Sequence, residues 1–217
     1  MIIEALLFDL DGTLVDTGEL HWLATLEALS EKGRSVTREV YDSQVHGANN
    51  EDIARLFFPE DPVGAGLAYI ERKESLFRAK LETAEPMPGL LALLDLARTK
   101  GWGTAVVTNA PRANMEASLR AIGLRDAFAS VVLGDELEFA KPHPLPYLTA
   151  MRDLGARPET SVAFEDSLPG LVSIVGSGAF PVGVASGLPP ASLAAAGARL
   201  VIEDFRDESL LELMKAG

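Results

Sequence analysis

Residues 6–21 read LLFDLDGTLVDTGELH. An apolar run, Leu6-Leu7-Phe8, ends in two aspartates separated by one residue, Asp9 and Asp11, with Gly12 and a third aspartate, Asp16, close behind. Carboxylates set this close repel one another, so the pattern needs a reason. A solvated turn could carry Asp-Leu-Asp-Gly for the sake of the turn alone. The other reading is an acidic cluster built to hold a cation, and the rest of the chain decides between them.

Outward from this stretch, hydrophobic patterns alternate. Residues 2–8 read as a buried strand, and residues 19–32 as an amphipathic helix with Leu20, Leu23, Leu26 and Leu29 at intervals of three. From there to about Glu82 no segment resembles a buried strand. Helical pieces near 37–45, 50–58 and 65–82 are parted by the turn Gly47-Ala48-Asn49-Asn50 and by the loop that holds Pro59, Pro62 and Gly64. Glu85-Pro86-Met87-Pro88-Gly89 is the strongest punctuation in the chain.

After it the alternation becomes regular: helix 89–100, strand 103–108, helix 111–122 opening on Pro111, and strand 130–134. Then come helix 144–154, strand 161–165, helix 168–178 and strands at 180–184 and 199–202. Strands alternating with helices predict a parallel sheet with helices on both faces. The expected organisation is a Rossmann-like α/β core from residues 1–16 plus 84–217, interrupted by an all-helical insertion over 17–83.

Composition narrows the function classes. Hydrophobic residues at 47% and charged residues at 24% are ordinary for a globular protein of 217 residues. The absence of cysteine removes disulfides and thiolate zinc sites. With a net charge of −13 and no Lys/Arg cluster, a nucleic-acid partner is not expected. Apolar runs fall short of the ~20 residues a bilayer span needs, and the N-terminus, with Glu4, lacks the basic start of a signal peptide. The expectation is a cytoplasmic protein, monomeric or weakly dimeric, whose anionic ligands would be drawn by a local cationic device.

Parallel sheets bind ligands at the carboxyl ends of their strands. Asp9 and Asp11 follow the first strand, Thr108-Asn109 the second, Lys141-Pro142 the third and Glu165-Asp166-Ser167 the fourth. Polar clusters thus recur at one structural position in four successive units. In this order they resemble the four motifs of the haloacid dehalogenase superfamily, and the insertion after the first motif resembles its helical-cap subclass. The sequences FEDS at 164–167 and TNAPR at 108–112 look most like its β-phosphoglucomutase-like and sugar-phosphatase group.

That resemblance implies a phosphatase using an aspartyl-phosphate intermediate and Mg²⁺. It makes Asp9 the nucleophile and Asp11 the general acid and then base. Lys141 would balance the phosphate charge, while Gly12, Thr108 and Asn109 would contact the phosphate. Asp9, Asp11 (through its main-chain carbonyl), Glu165 and Asp166 would hold the metal, an oxygen-only set suited to a hard cation. Plain structural duties stand beside these roles: Asn109 could simply cap the next helix, and Glu165-Asp166-Ser167 could cap helix 168–178.

Two departures from the group stand out. The third motif reads KPHPLPY, with Leu145 where the group often has aspartate, and the helix after the fourth reads LVSIVGSGAF, with Gly176 and Gly178 suggesting a less rigid end. In the helical insertion, expected to close over the leaving group as a cap, His21, Asn50 and Lys73 are the substrate candidates, with Trp22, Asn49 and Arg72 near them. His21 could equally be structural and Lys73 part of a solvated basic pair; Trp22 reads as core. Asn50, aligned through Gly47, stands where the group's mutases carry an arginine for a second phosphate, which favours water as the phosphoryl acceptor. The expectation is therefore hydrolysis of small phosphorylated metabolites, sugar phosphates first. A β-phosphoglucomutase-type isomerase and a phosphoglycolate phosphatase are the alternatives.

Overall fold

The computed structural model describes residues 2–46 and 48–215, which fall into two compact units, 17–84 and the remainder. Gly47, on which the alignment of Asn50 depends, lies outside the described residues. Among the described residues no helix is long and apolar enough to cross a membrane.

The helical unit contains α1 (Gly18–Ser30), α2 (Arg38–Gln44), α3 (Asn50–Phe57) and α4 (Leu67–Lys80). A short π-helical turn, Pro62–Gly66, leads into α4 and is capped by Asp61, whose carboxylate accepts from the N–H groups of Gly64 and Ala65. Helix α1 departs from its sequence reading. Its buried residues are Ala24, Thr25, Ala28 and Leu29, while Leu23 stays exposed. Small residues let α4 approach closely, so Ala24 and Ala28 share the buried face with Leu29, while Leu20 and Leu26 are only half-buried. Tyr69 of α4 is fully buried against Phe57 and Phe58, ring centroids 5.7 and 5.4 Å away.

The α/β unit contains β1 (Ala5–Phe8), α5 (Leu90–Lys100), β2 (Gly103–Thr108), α6 (Arg112–Ala121) and β3 (Ser130–Leu133). It continues with α7 (Leu145–Leu154), β4 (Ser161–Glu165), α8 (Leu168–Ser177), β5 (Phe180–Val184), α9 (Pro190–Ala195), β6 (Leu200–Ile202) and α10 (Glu208–Lys215). The strands form one parallel sheet in the order β3-β2-β1-β4-β5-β6. Alternation decides which residues face which layer. Ala5, Leu7, Ala105, Val107 and Ala163 share one core with Tyr147 and Met151 of α7 and Leu171 and Ile174 of α8. Phe8, of the opposite parity, stacks on Phe164 at 4.9 Å and meets the edge of Phe205 at 5.9 Å. Aromatic contacts of this kind add about 0.5–1.5 kcal/mol each beyond the area they bury.

Helices α9 and α10 lie in stretches to which the sequence reading assigns no element. Both are short, eight residues at most, and they are held by the burial of Leu193 and of Leu210 and Met214. At the end of α8, Gly178 adopts φ +83° and caps the helix in the left-handed region, where glycine carries no Cβ penalty. The glycine pair is thus an ordinary helix stop, and Gly176 packs toward Pro144.

Candidate active site

Strand β1 lies between β2 and β4, with Phe8 in register with Val106 and Phe164. Chain direction reverses its progress across the sheet here, since β2 and β3 lie to one side and β4 to β6 to the other. This is the position where open parallel sheets leave a crevice. Asp9 continues the parity of Leu7, and Glu165 that of Ala163, so both aim at the layer that holds Tyr147. The Asp9 N–H donates to the Phe164 carbonyl at 3.0 Å, which ties the two strand ends together.

Lys141 joins them. Its Nζ donates to Oδ1 of Asp9 and to Oε1 of Glu165, each at 2.5 Å, and all three side chains are nearly sealed from solvent. The lysine arrives from the loop after β3, and its peptide bond to Pro142 is cis. Asn109 sets that loop in place: its Nδ2 donates to the Lys141 carbonyl, and the Lys141 N–H donates to its Oδ1, both at 3.2 Å. Asn109 does not cap α6, whose N-cap is Pro111. Thr108 is buried, and its Oγ1 accepts from the Ala110 N–H at 2.9 Å.

Glu165 uses both carboxylate oxygens on protein donors. Oε1 accepts from Lys141 and from the Tyr147 hydroxyl at 3.2 Å. Oε2 accepts from the N–H and the hydroxyl of Ser167, at 3.1 and 2.9 Å. Ser167 also caps α8 by accepting from the Gly170 N–H, the capping role read for this motif. Position 170 has no room for a side chain, because a Cβ there would lie 1.8 Å from Oε1 of Glu165.

Asp9, Glu165 and Asp166 each bring a carboxylate oxygen within 4.8 Å of the others, and all three are buried. With Lys141 the formal charge is −3 + 1 = −2. Burial, and next the Glu165 carboxylate, push the Asp9 carboxyl well above the usual carboxylate range; Lys141 opposes them and Asp166 adds to the rise. Burial alone would lower the Lys141 ammonium, but Asp9 and Glu165 outweigh it and hold the group above the ordinary lysine value. Burial and then Glu165 push the Tyr147 phenol far up, so it remains a donor.

An all-oxygen set with a residual charge of −2 fits a hard divalent cation. Gly12 adds a cradle: at φ +79° its missing Cβ would stand 2.1 Å from Oδ2 of Asp166. The buried Oγ of Ser186, which has no hydrogen-bond partner among the described residues, would lie 3.1 Å from the same point. The Asp11 carboxylate is not one of the three that cluster.

The remaining sequence candidates lie in the helical unit. His21 stacks on Phe77 with ring centroids 3.7 Å apart. Lys73 is buried and paired with Glu74 at 2.8 Å, and Arg72 pairs with Glu31 at 2.7 Å. Trp22 is half-buried and meets the edge of Tyr41 at 5.0 Å. Asn49 caps α3 by accepting from the Asp52 N–H at 2.9 Å, and Asn50 is the first residue of that helix. Two residues escaped the sequence reading. Tyr147 stands inside KPHPLPY, where attention falls on the lysine, and its place on the first turn of α7 was the available signal. Ser186 follows β5 as the other clusters follow their strands, and that fifth strand end could have been inspected on the same logic.

Residues 6–182 match the family described as haloacid dehalogenase-like hydrolase. Protein CbbY from Cereibacter sphaeroides is 36% identical over 191 residues, covering 82% of each chain. Hexitol phosphatase B from Escherichia coli K12 is 28% identical over 214 residues, covering 97% of this chain and 94% of its own. A crystal structure of CbbY from Rhodobacter sphaeroides in complex with xylulose-(1,5)bisphosphate superposes with a TM-score of 0.81 at 31% identity, covering 95% and 96% of the two chains.

Proposed function

The chain belongs to the haloacid dehalogenase-like hydrolase family, and from that premise we propose that it is a Mg²⁺-dependent phosphatase of small phosphorylated metabolites, sugar phosphates foremost. Its chemistry is that of a phosphoric monoester hydrolase. The observation that carries the reading is the bridge from Lys141 to Asp9 and Glu165, with Asp166 completing a buried acidic cluster at the strand ends.

In this reading Asp9 attacks phosphorus, and the bond from phosphorus to the ester oxygen breaks to leave an aspartyl phosphate. Asp11 gives its proton to the departing alkoxide, then takes one from the water that hydrolyses the acyl phosphate. Lys141 places a fixed positive charge beside the attacking oxygen and holds Asp9 in position through one of its N–H groups. Glu165, anchored by four donors, serves chiefly as the counter-ion that keeps Lys141 in place. The Thr108 hydroxyl and the N–H groups after β2 line the phosphate side, and Asn109 sets the lysine loop. Asp9, Asp166 and the Asp11 carbonyl would hold Mg²⁺ with Glu165 at the cluster's edge, and the ion would supply the positive charge that lets Asp9 ionise and approach an anion.

The substrate class draws support from the relatives' printed names, a hexitol phosphatase and a protein bound to a sugar bisphosphate. The test is phosphate release in Mg²⁺ against xylulose 1,5-bisphosphate, hexitol phosphates, β-glucose 1-phosphate and phosphoglycolate, with products identified. Free phosphate in step with substrate loss is expected, ended by EDTA and by Asp9→Asn. An isomerised sugar phosphate with no phosphate released would overturn the hydrolase reading, and EDTA-insensitive turnover would remove the metal.

A further inference from the structure

We propose that Ser186 is a positioning residue of the cation site, its hydroxyl holding a water molecule of the bound cation's hydration shell. The proposal rests on the metal-binding reading of Asp9 and Asp166. Ser186 lies two residues beyond Val184, the last residue of β5, and β5 pairs with β4 up to Glu165 and Gly183. Its Oγ is buried and has no hydrogen-bond partner among the described residues. Nearby, Glu165 takes four donors and Ser167 both donates and accepts. A buried hydroxyl without a partner is costly, and such groups in native proteins are commonly completed by water or a ligand.

The missing side chain of Gly12 locates the partner. The point where its Cβ would stand is 2.1 Å from Oδ2 of Asp166 and 3.1 Å from Oγ of Ser186. Glycine at position 12 leaves that point to the Asp166 carboxylate, and the orphan hydroxyl comes up to the same point, so the two groups are neighbours at the edge of the acidic cluster. The carboxylate is a ligand for a hard cation, whereas the neutral hydroxyl is a poor rival to it. Mg²⁺ sheds water reluctantly and usually retains several water ligands, whose protons need acceptors. A serine oxygen can accept from such a water and donate to another neighbour. Thr13 and Ser118 also carry buried oxygens without partners among the described residues, but only for Ser186 does the Gly12 geometry give a position beside Asp166.

The test uses Mn²⁺ as the probe, with its dissociation constant read from the electron paramagnetic resonance of the free ion. Partners in a metal's outer shell change its affinity by about 10–100-fold when removed. Ser186→Ala is expected to weaken Mn²⁺ about tenfold, the low end of that range. The metal-free Tm should stay level or rise, because the deleted hydroxyl had no partner to lose. A lower metal-free Tm with unchanged Mn²⁺ affinity would mark Ser186 as merely structural and overturn the proposal. Asp166→Asn, measured in parallel, separates the premises. If it weakens Mn²⁺ binding and Ser186→Ala does not, the Ser186 proposal alone falls. If Asp166→Asn also binds Mn²⁺ as tightly as the parent, the cation site is misassigned and both fall.

Discussion

Lys141 and Asp9, 132 residues apart in the chain, meet at 2.5 Å in a site where the lysine side chain is 4% exposed and the aspartate 11%. The same Nζ lies 2.5 Å from Glu165, so one ammonium keeps two buried carboxylates from repelling each other. Breaking a buried pair by removing one partner costs about 3–5 kcal/mol, because a charge is left uncompensated. Lys141→Met should therefore lose about that much stability in urea titrations with EDTA present, along with turnover. Lys141→Arg should not restore activity, since a planar guanidinium cannot place one nitrogen between the two oxygens. A stability loss near zero would show that the carboxylates are protonated and the bridge is not ionic.

The Asp9 carboxyl gives a pH signature with a definite sign. Its folded value is raised, by burial and then by Glu165. Its stabilising contribution is then fully present below the unfolded value of about 3.9, and it is lost as pH rises toward the folded value. Asp9→Asn cannot ionise, so the Tm of Asp9→Asn minus that of the parent, without metal, should grow from pH 4 to pH 7. For a chain of this size each kcal/mol amounts to about 2–4 °C. Glu4, Asp61 and Asp204 are held low by hydrogen bonds and act in the opposite sense, but they are common to both proteins and cancel in the difference. Scanning calorimetry at several pH values checks this, and saturating Mg²⁺ should erase the gap. A difference that shrinks with pH would mean that Lys141 outweighs burial.

Gly12 and Gly33 make a matched pair. Both have positive φ, +79° and +66°, but a Cβ at Gly33 meets nothing within 4 Å while one at Gly12 would overlap Asp166. Gly33→Ala should cost only the left-handed backbone term, about 1–2 kcal/mol, with Mn²⁺ affinity unchanged. Gly12→Ala should cost more and weaken Mn²⁺ at least about tenfold, through displacement of Asp166. Thermal melts and Mn²⁺ titrations on the two variants decide it. Equal Mn²⁺ affinities would mean that Asp166 does not need the room Gly12 leaves.

Lys73 and Glu74 are each 5% exposed and joined at 2.8 Å within α4. Lys73→Met is expected to destabilise the helical unit, by less than the about 3–5 kcal/mol of a buried charge left wholly uncompensated because Glu74 keeps a further interaction, and adding Glu74→Leu to recover part of it. Urea denaturation of the single and double variants measures this coupling. A neutral Lys73→Met would free the lysine for substrate, the role its sequence position suggested.

The polar clusters at four strand ends were legible in the sequence because strand and helix periodicities are local. A run such as Leu6-Leu7-Phe8 and the helix that follows declare themselves within a dozen residues, and the carboxyl end of a strand is then a known place. Strands 103–108, 161–165 and 180–184 emerge at those bounds. Tertiary structure decided everything that depends on which distant groups meet. Leu23 faces solvent while Ala24 and Ala28 are buried, because the partner helix, and not hydrophobicity alone, selects the buried face. Tyr147 and Ser167 converge on Glu165 only once α7, β4 and α8 are packed. Ser186 and Asp166 both reach the point where a Gly12 side chain would stand only because β5 lies beside β4. Local periodicity carries the order of the elements, but contacts across the sheet depend on strand order and register, which no short window of sequence contains.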